Sequence, residues 1–185
     1  MHESIKVQFT LPATAREVYD AWLDGAKHSA MTGARATASR EVGGEFSAWD
    51  NYIRGKNLLL IENQKIVQSW RSSEFPEDAP DSVLSIQLTE RYGTTEVELV
   101  HSDIPPGHAV QYQSGWIEFY ANPMQKYFAA LKTKKMRQPI SSTTPTARAK
   151  PASKPGRRTK KSGPANKTVT NGKKKSSRAI RRGKK

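Results

Sequence analysis

The chain of 185 residues carries 31 Lys and Arg against 17 Asp and Glu, a formal net charge of +14, with 35% hydrophobic residues and no cysteine. That composition excludes a disulfide framework, a thiolate metal site and a Cys nucleophile, fits a reducing compartment, and leaves no run of about 18 apolar residues to span a membrane. The charge is partitioned: Met1 to Leu131 holds 11 basic and 17 acidic residues, a net of −6, whereas Lys132 to Lys185 holds 20 basic residues and no acid.

The same boundary divides the apolar residues. Every Trp, Tyr and Phe lies at or before Phe128, and beyond Leu131 the sizeable apolar residues are Met136, Ile140, Val169 and Ile180. A segment so poor in burial cannot offset its ordering entropy, and its like charges repel. The expectation is a folded domain over 1–131 and an extended, mobile basic tail over 132–185, whose first residues continue the preceding helix. Met1 to Lys6 shows no basic stretch leading into an apolar one, so no secretory signal is expected and a cytoplasmic location is.

Ile5, Val7 and Phe9 alternate with Lys6 and Gln8 as in a half-buried strand. Thr14 and Glu17 have the spacing of a capping box and start a helix at about Ala15, with Val18, Tyr19, Trp22 and Leu23 as its apolar stripe. A second short helix runs from Ala26 to Met31 and stops at Gly33. Six strands follow, over Ala36 to Glu41, Glu45 to Trp49, Tyr52 to Ile61, Ile66 to Arg71, the stretch with Leu84, Ile86 and Leu88, and the stretch with Val97 and Leu99. After Pro105-Pro106-Gly107 comes the longest helical pattern, with Tyr112, Trp116, Phe119, Tyr120, Tyr127, Phe128 and Leu131 on one side. Pro123 lies inside it, lacks an amide donor and crowds the Phe119 carbonyl, which predicts a kink or a restart there. The order predicts an α+β domain with the last helix packed on the concave face of an antiparallel sheet.

Five stretches carry a resemblance: Val42-Gly43-Gly44-Glu45-Phe46, Ile66-Val67-Gln68-Ser69-Trp70-Arg71, the loop from Phe75 to Asp81, Val100-His101-Ser102-Asp103-Ile104-Pro105, and Gly115-Trp116 leading to Tyr120. Over about residues 4–131 the chain resembles the activator of Hsp90 ATPase homologue 1-like family, in the Bet v 1/START-like superfamily with the helix-grip fold. The resemblance implies a curved sheet wrapped around the C-terminal helix, often with an apolar cavity between them. It also implies an Hsp90-type chaperone as partner. The eukaryotic co-chaperones join such a module to an N-terminal domain with an Asn-rich, Trp-containing motif. Nothing matching it precedes Ser4, so the expectation is of the C-terminal module alone, and the basic tail lies outside the resemblance.

The residues offer little for catalysis. His2, His28, His101 and His108 have no metal-ligand spacing, and no Gly-rich phosphate loop is present. The three internal histidines read as surface or capping residues, and neither an enzyme, a cofactor nor a metal is expected. Trp22, Phe46, Trp70, Leu84, Ile86, Trp116, Phe119 and Tyr120 are the candidate lining of an apolar cavity, with Arg71 and His101 at strand ends to orient a polar group of a ligand; ordinary core packing is the alternative. In the tail, Arg157, Arg158, Lys160, Lys161, Lys173, Lys174, Lys175, Arg178, Arg181, Arg182, Lys184 and Lys185 form clusters suited to nucleic acid or another polyanion, without interleaved aromatics for base stacking. In a host with a nucleus the last cluster would also serve as a localisation signal. The sequence therefore points to a non-enzymatic binding protein resembling the C-terminal module of Hsp90 activators. A carrier or sensor of a small hydrophobic ligand is the competing function.

Overall fold

The computed structural model describes residues 2–137 of the chain. The twelve candidate polyanion-binding cations named in the tail lie outside the described residues. Strand β1 (Glu3–Leu11) leads into helices α1 (Ala15–Trp22) and α2 (Gly25–Thr32), followed by β2 (Glu45–Ala48), β3 (Ile53–Ile61), β4 (Lys65–Ser72), β5 (Ser82–Arg91) and β6 (Thr94–Ile104). The chain then forms α3 (Ala109–Gly115), a π-helical turn over Trp116–Ala121, and α4 (Asn122–Arg137), six residues past Leu131. No helix among the described residues is long and apolar enough to cross a membrane.

The six strands make one antiparallel sheet in the order β1-β6-β5-β4-β3-β2. Alternation decides its faces: Val7, Leu99, Ile86 and Ile66 stand in register across β1, β6, β5 and β4, all on the inner side and all buried. The last helix fills the concavity. Tyr112, Trp116, Tyr120, Met124 and Phe128 are buried along it, and Gln125 donates to the Thr10 carbonyl, covering the β1 edge.

The capping box starts α1 as expected: the Glu17 amide donates to Thr14 Oγ1 and the Thr14 amide to Glu17 Oε2. Lys135 of α4 pairs with the same Glu17, which holds that carboxyl below the usual carboxylate range. Asp24 caps α2, and Gly33 ends it with φ of 83°, a left-handed conformation that glycine adopts without a Cβ penalty.

Two expectations are corrected. Ala36 to Glu41 is not a strand; one bridge, Thr37 to Ser47, is all it contributes to the sheet. Its polar groups are taken by side chains: the Asn57 amide donates to the Ser39 and Glu41 carbonyls at 2.8 and 3.0 Å, and Ser29 Oγ accepts from the Ala36 amide at 2.8 Å. The sheet therefore has six strands in all, where the sequence pattern suggests six after the two helices. At Pro123 the helix does not restart; it runs on, widened just before the proline, where the Asn122 amide reaches the Ile117 carbonyl.

Gly55 on β3 lies against the β4 backbone, and a Cβ there would stand 1.9 Å from the Ser69 carbonyl oxygen. Gly115 is helical, and its Cβ would meet only a Phe119 ring carbon at 3.7 Å. Gly55→Ala should destabilise the domain by about 3 kcal/mol or more, whereas Gly115→Ala should stabilise it by about 0.5 to 1 kcal/mol. Urea midpoints of the two variants moving in opposite directions check this, and equal midpoints would contradict the β3–β4 register.

Candidate binding cleft

Between the inner face of β3–β4 and the last helix lies a cleft of about 480 Å³. Its walls are aromatic. Trp70 of β4 packs on Tyr112 at 5.0 Å and on Trp116 at 6.0 Å between ring centroids; Trp116 meets Tyr120 at 4.6 Å, and Trp49 closes the series against Tyr120 at 6.3 Å and Phe119 at 5.2 Å. Tyr52, Ile53 and Gly115 complete the apolar lining, with Glu74 and Gln111 at the polar end.

The β2–β3 turn places Trp49. Trp49, Asp50 and Asn51 have φ of 53°, 55° and 71°, three consecutive left-handed residues without a glycine. Each costs about 1 kcal/mol or more. Backbone bonds hold the turn, from the Asp50 amide to the Arg35 carbonyl at 3.1 Å and from the Ser73 amide to the Tyr52 carbonyl at 2.8 Å. The result is an indole standing edge-on to Phe119, which is itself 47% exposed at the rim.

Beneath the floor runs a buried polar chain. Trp116 Nε1 donates to His101 Nδ1 at 3.2 Å, so the imidazole proton sits on Nε2, which faces Ser82 Oγ at 2.7 Å; Ser82 Oγ in turn donates to the Trp70 carbonyl at 2.7 Å. His101 is fully buried, and burial pushes its pKa down to about 3, so the ring is neutral. A second neutral imidazole, His28, donates from Nδ1 to the Trp22 carbonyl at 3.0 Å. Its Nε2 is buried without a partner among the described residues, and the ring packs edge-on to Trp22 and Tyr120. Tyrosines at the cleft titrate high. Burial raises Tyr52 to about 12 and lifts Tyr112 and Tyr120 as well, with Glu74 adding to the shift of the first two.

Of the ten candidate lining residues, the structure brings Trp70, Trp116, Phe119 and Tyr120 together at the cleft. Leu84 and Ile86 are closed core under the sheet, and Trp22 is tied to Gln68 Oε1 at 3.1 Å on the α1 side. Phe46 and Arg71 line a different, more polar groove on β2–β4 with Arg54 and Lys56. Arg71 alternates with Trp70 and so points away from the cleft, where its guanidinium donates to the carbonyls of Pro76, Glu77 and Ala79 and meets Asp81 at 3.4 Å. It shapes the loop that carries Phe75. His101 has both nitrogens engaged below the floor, which corrects its reading, and that of His28, as surface or capping residues. His108 does precede α3, partly exposed and stacked on Tyr112. Trp49, Tyr52, Ile53, Glu74, Gln111, Tyr112 and Gly115 are the lining residues the pattern did not single out as a site.

A six-stranded antiparallel sheet gripping a long helix, with an aromatic cleft left between them, defines a helix-grip domain. The chain belongs to the family of activator of Hsp90 ATPase homolog 1-like proteins, whose family model matches residues 12–129. Among curated relatives, an uncharacterized protein of Schizosaccharomyces pombe is 28% identical over 124 residues, covering 67% of this chain and 37% of that protein. An activator of 90 kDa heat shock protein ATPase homolog from Dictyostelium discoideum is 27% identical over 114 residues, covering 62% and 30%. The chain thus spans well under half the length of these relatives. The crystal structure of an Hsp90 activator from Plasmodium falciparum shares the fold with a TM-score of 0.64 at 19% identity, covering 68% of this chain and 96% of that one.

Because His101 refuses a proton until about pH 3 when folded and accepts one near pH 6.5 when unfolded, its contribution to stability is complete above pH 6.5 and drains away as pH falls toward 3. At pH 4.5, two units into that window, the loss is about 3 kcal/mol. Urea unfolding at pH 7.5 and 4.5 should show it. In His101→Leu, which starts less stable because the Trp116 N–H and Ser82 hydroxyl lose their partner, the drop between the two pH values should shrink; an undiminished drop would assign the acid sensitivity elsewhere.

Proposed function

We propose that this chain is a non-enzymatic binding protein of the Hsp90-activator type, whose domain engages an Hsp90-type chaperone and whose basic segment 132–185 binds nucleic acid or another polyanion. Family membership over residues 12–129 carries the first part, together with the Dictyostelium relative's description as an activator of a 90 kDa heat shock protein ATPase. The charge partition carries the second: 20 cations without an acid follow a domain of net −6. For His101 the non-enzymatic reading is supported by its two ring nitrogens, which are both taken, by the Trp116 indole and the Ser82 hydroxyl.

Calorimetry of the full chain with the host's purified Hsp90 tests the domain's role, with the chaperone's ATPase rate measured in parallel. Saturable binding is expected with or without a rate increase. No heat and no rate change at high concentration would remove the chaperone. For the basic segment, the full chain should bind duplex DNA or RNA with little sequence preference. If about five phosphates are neutralised, affinity should fall about 500-fold between 50 and 200 mM salt. Salt-insensitive binding would remove the polyanion role from the segment.

The cleft favours a second reading, a carrier or sensor of a small apolar ligand. At about 480 Å³, lined mainly by aromatic carbon with few polar groups, it has the size and composition of a small-molecule site. Native mass spectrometry of chain purified without detergent should show a stoichiometric adduct that Trp116→Ala loses; an adduct retained by the variant would place the ligand elsewhere.

A further inference from the structure

The cleft is unusual less for being apolar than for how its charge is distributed. Its lining contains one ionisable carboxyl, that of Glu74, and no Lys, Arg or His. Everything else around it is ring or aliphatic carbon, apart from the Gln111 amide, the tyrosine hydroxyls and the indole N–H groups of Trp49, Trp70 and Trp116, the last of which is given to His101. Gln111 Nε2 donates to Glu74 Oε2 at 3.2 Å, so the amide fixes the carboxylate at the rim without neutralising it. The neighbouring cation, Arg71, stands 5.9 Å from the Phe75 ring on the far side of β4 and is occupied by three loop carbonyls and Asp81.

Aromatic faces carry negative charge density at their centres, and a cation placed among several of them is attracted most strongly where water is excluded. Here the rings of Trp49, Trp70, Tyr112, Trp116, Phe119 and Tyr120 bound one volume. Three are indoles, the best π faces among side chains. A carboxylate or phosphate ligand would find no donor cation in such a cleft and would face Glu74. A hydrated primary ammonium would lose its water bonds with one carboxylate to replace them. An alkylated ammonium has no such bonds to lose and presents methyl groups to the rings.

We propose that this cleft selects a cationic amphiphile, an alkylated ammonium on an apolar chain, with the head held among the rings beside Glu74 and the chain lying against Trp70, Ile53 and Trp116. The assignment rests on the small-ligand reading of the cleft and goes further by naming the ligand's charge.

Three probes of one chain length separate the two: decyltrimethylammonium, decanol and decanoate, titrated below their aggregation thresholds into the full chain. Tryptophan emission is the readout, because all four tryptophans precede Lys132 and three of them line the cleft, so decanoate gathered by the basic segment gives no cleft signal. The trimethylammonium probe is expected to bind about tenfold tighter than either of the others. Glu74→Gln, at an exposed position where folding is indifferent to the change, should remove most of that preference while leaving decanol unchanged. Decanol or decanoate binding as tightly as the cation would overturn the charge assignment and leave the small-ligand reading standing. Undiminished preference in Glu74→Gln would also overturn it. Failure of all three to quench would overturn both. Tetramethylammonium is the fourth arm: competition by it points to a small free ion, and its failure to compete where the decyl probe binds points to a lipid-like ligand, each result supporting a cationic site.

Discussion

The grip depends on one buried hydrogen-bonded chain, from the Trp116 indole through the neutral His101 ring and the Ser82 hydroxyl to the Trp70 carbonyl. It crosses from the last helix to β6, β5 and β4, so a single helix residue is keyed to three strands. Each member has one geometry in which all the polar atoms are satisfied. An indole can only donate, which fixes the tautomer of His101, which in turn leaves Ser82 to donate onward. An apolar contact of the same size would let the helix slide along the sheet; a chain whose broken state leaves buried donors unpaired does not.

With the helix keyed at Trp116, the cleft follows as the space that cannot be filled. The helix is held to β6 through Trp116, β3 and β2 stand at the other end of the sheet, and beside Ile53 of β3 the residues that bridge the gap come from turns. Trp49 reaches in from a turn made of three left-handed residues, and Glu74 from the start of the loop after β4. Strain at Trp49 is maintained by backbone bonds to Arg35 on one side and, through Tyr52, to Ser73 on the other. The turn that closes the cleft is thus anchored to the body at both ends, and its indole is a fixed wall of the site.

How much of this could be read from the sequence follows from where each residue sits. Val7, Leu99, Ile86 and Ile66 sit in strands, where period-two alternation says which face is inner; the helix stripe is legible at Tyr112, Trp116, Tyr120 and Phe128, whereas Phe119 and Leu131, expected on it, are exposed and Met124 is buried. Alternation is silent on whether the inner face is packed or open, so Leu84 and Ile86 read the same as Trp70, though they lie in closed core and Trp70 lines the cleft. Turn residues have no period, which is why Trp49, Tyr52 and Glu74 gave no signal. The strand expected over Ala36 to Glu41 failed for a long-range reason. Asn57, 16 and 18 residues away along the chain, takes the carbonyls that a ladder would have used. Arg71 stands next to last in β4 and His101 three residues inside the end of β6, and the face of one and the burial of the other depend on partners in the loop 76–81 and on Trp116.

The helix itself shows how a local irregularity serves the whole. Tyr112, Trp116, Tyr120, Met124 and Phe128 are buried at steps of four residues. On a plain α-helix each such step advances the stripe by about 40°, so by Phe128 it would have wound roughly 160° away from the face where Tyr112 began. The π-helical turn over Trp116–Ala121 takes one more residue per turn and removes part of that drift, returning Met124 and Phe128 to the sheet side. Pro123 fixes where the widening falls, since its ring would crowd the Phe119 carbonyl of a regular α-turn and it has no amide to give. The widened turn is also the stretch that faces the cleft. Trp116 and Tyr120 stay inward while Phe119, between them in sequence, stands at the rim against Trp49. One irregularity in the backbone thus sets both the packing of the distal helix and the mouth of the site.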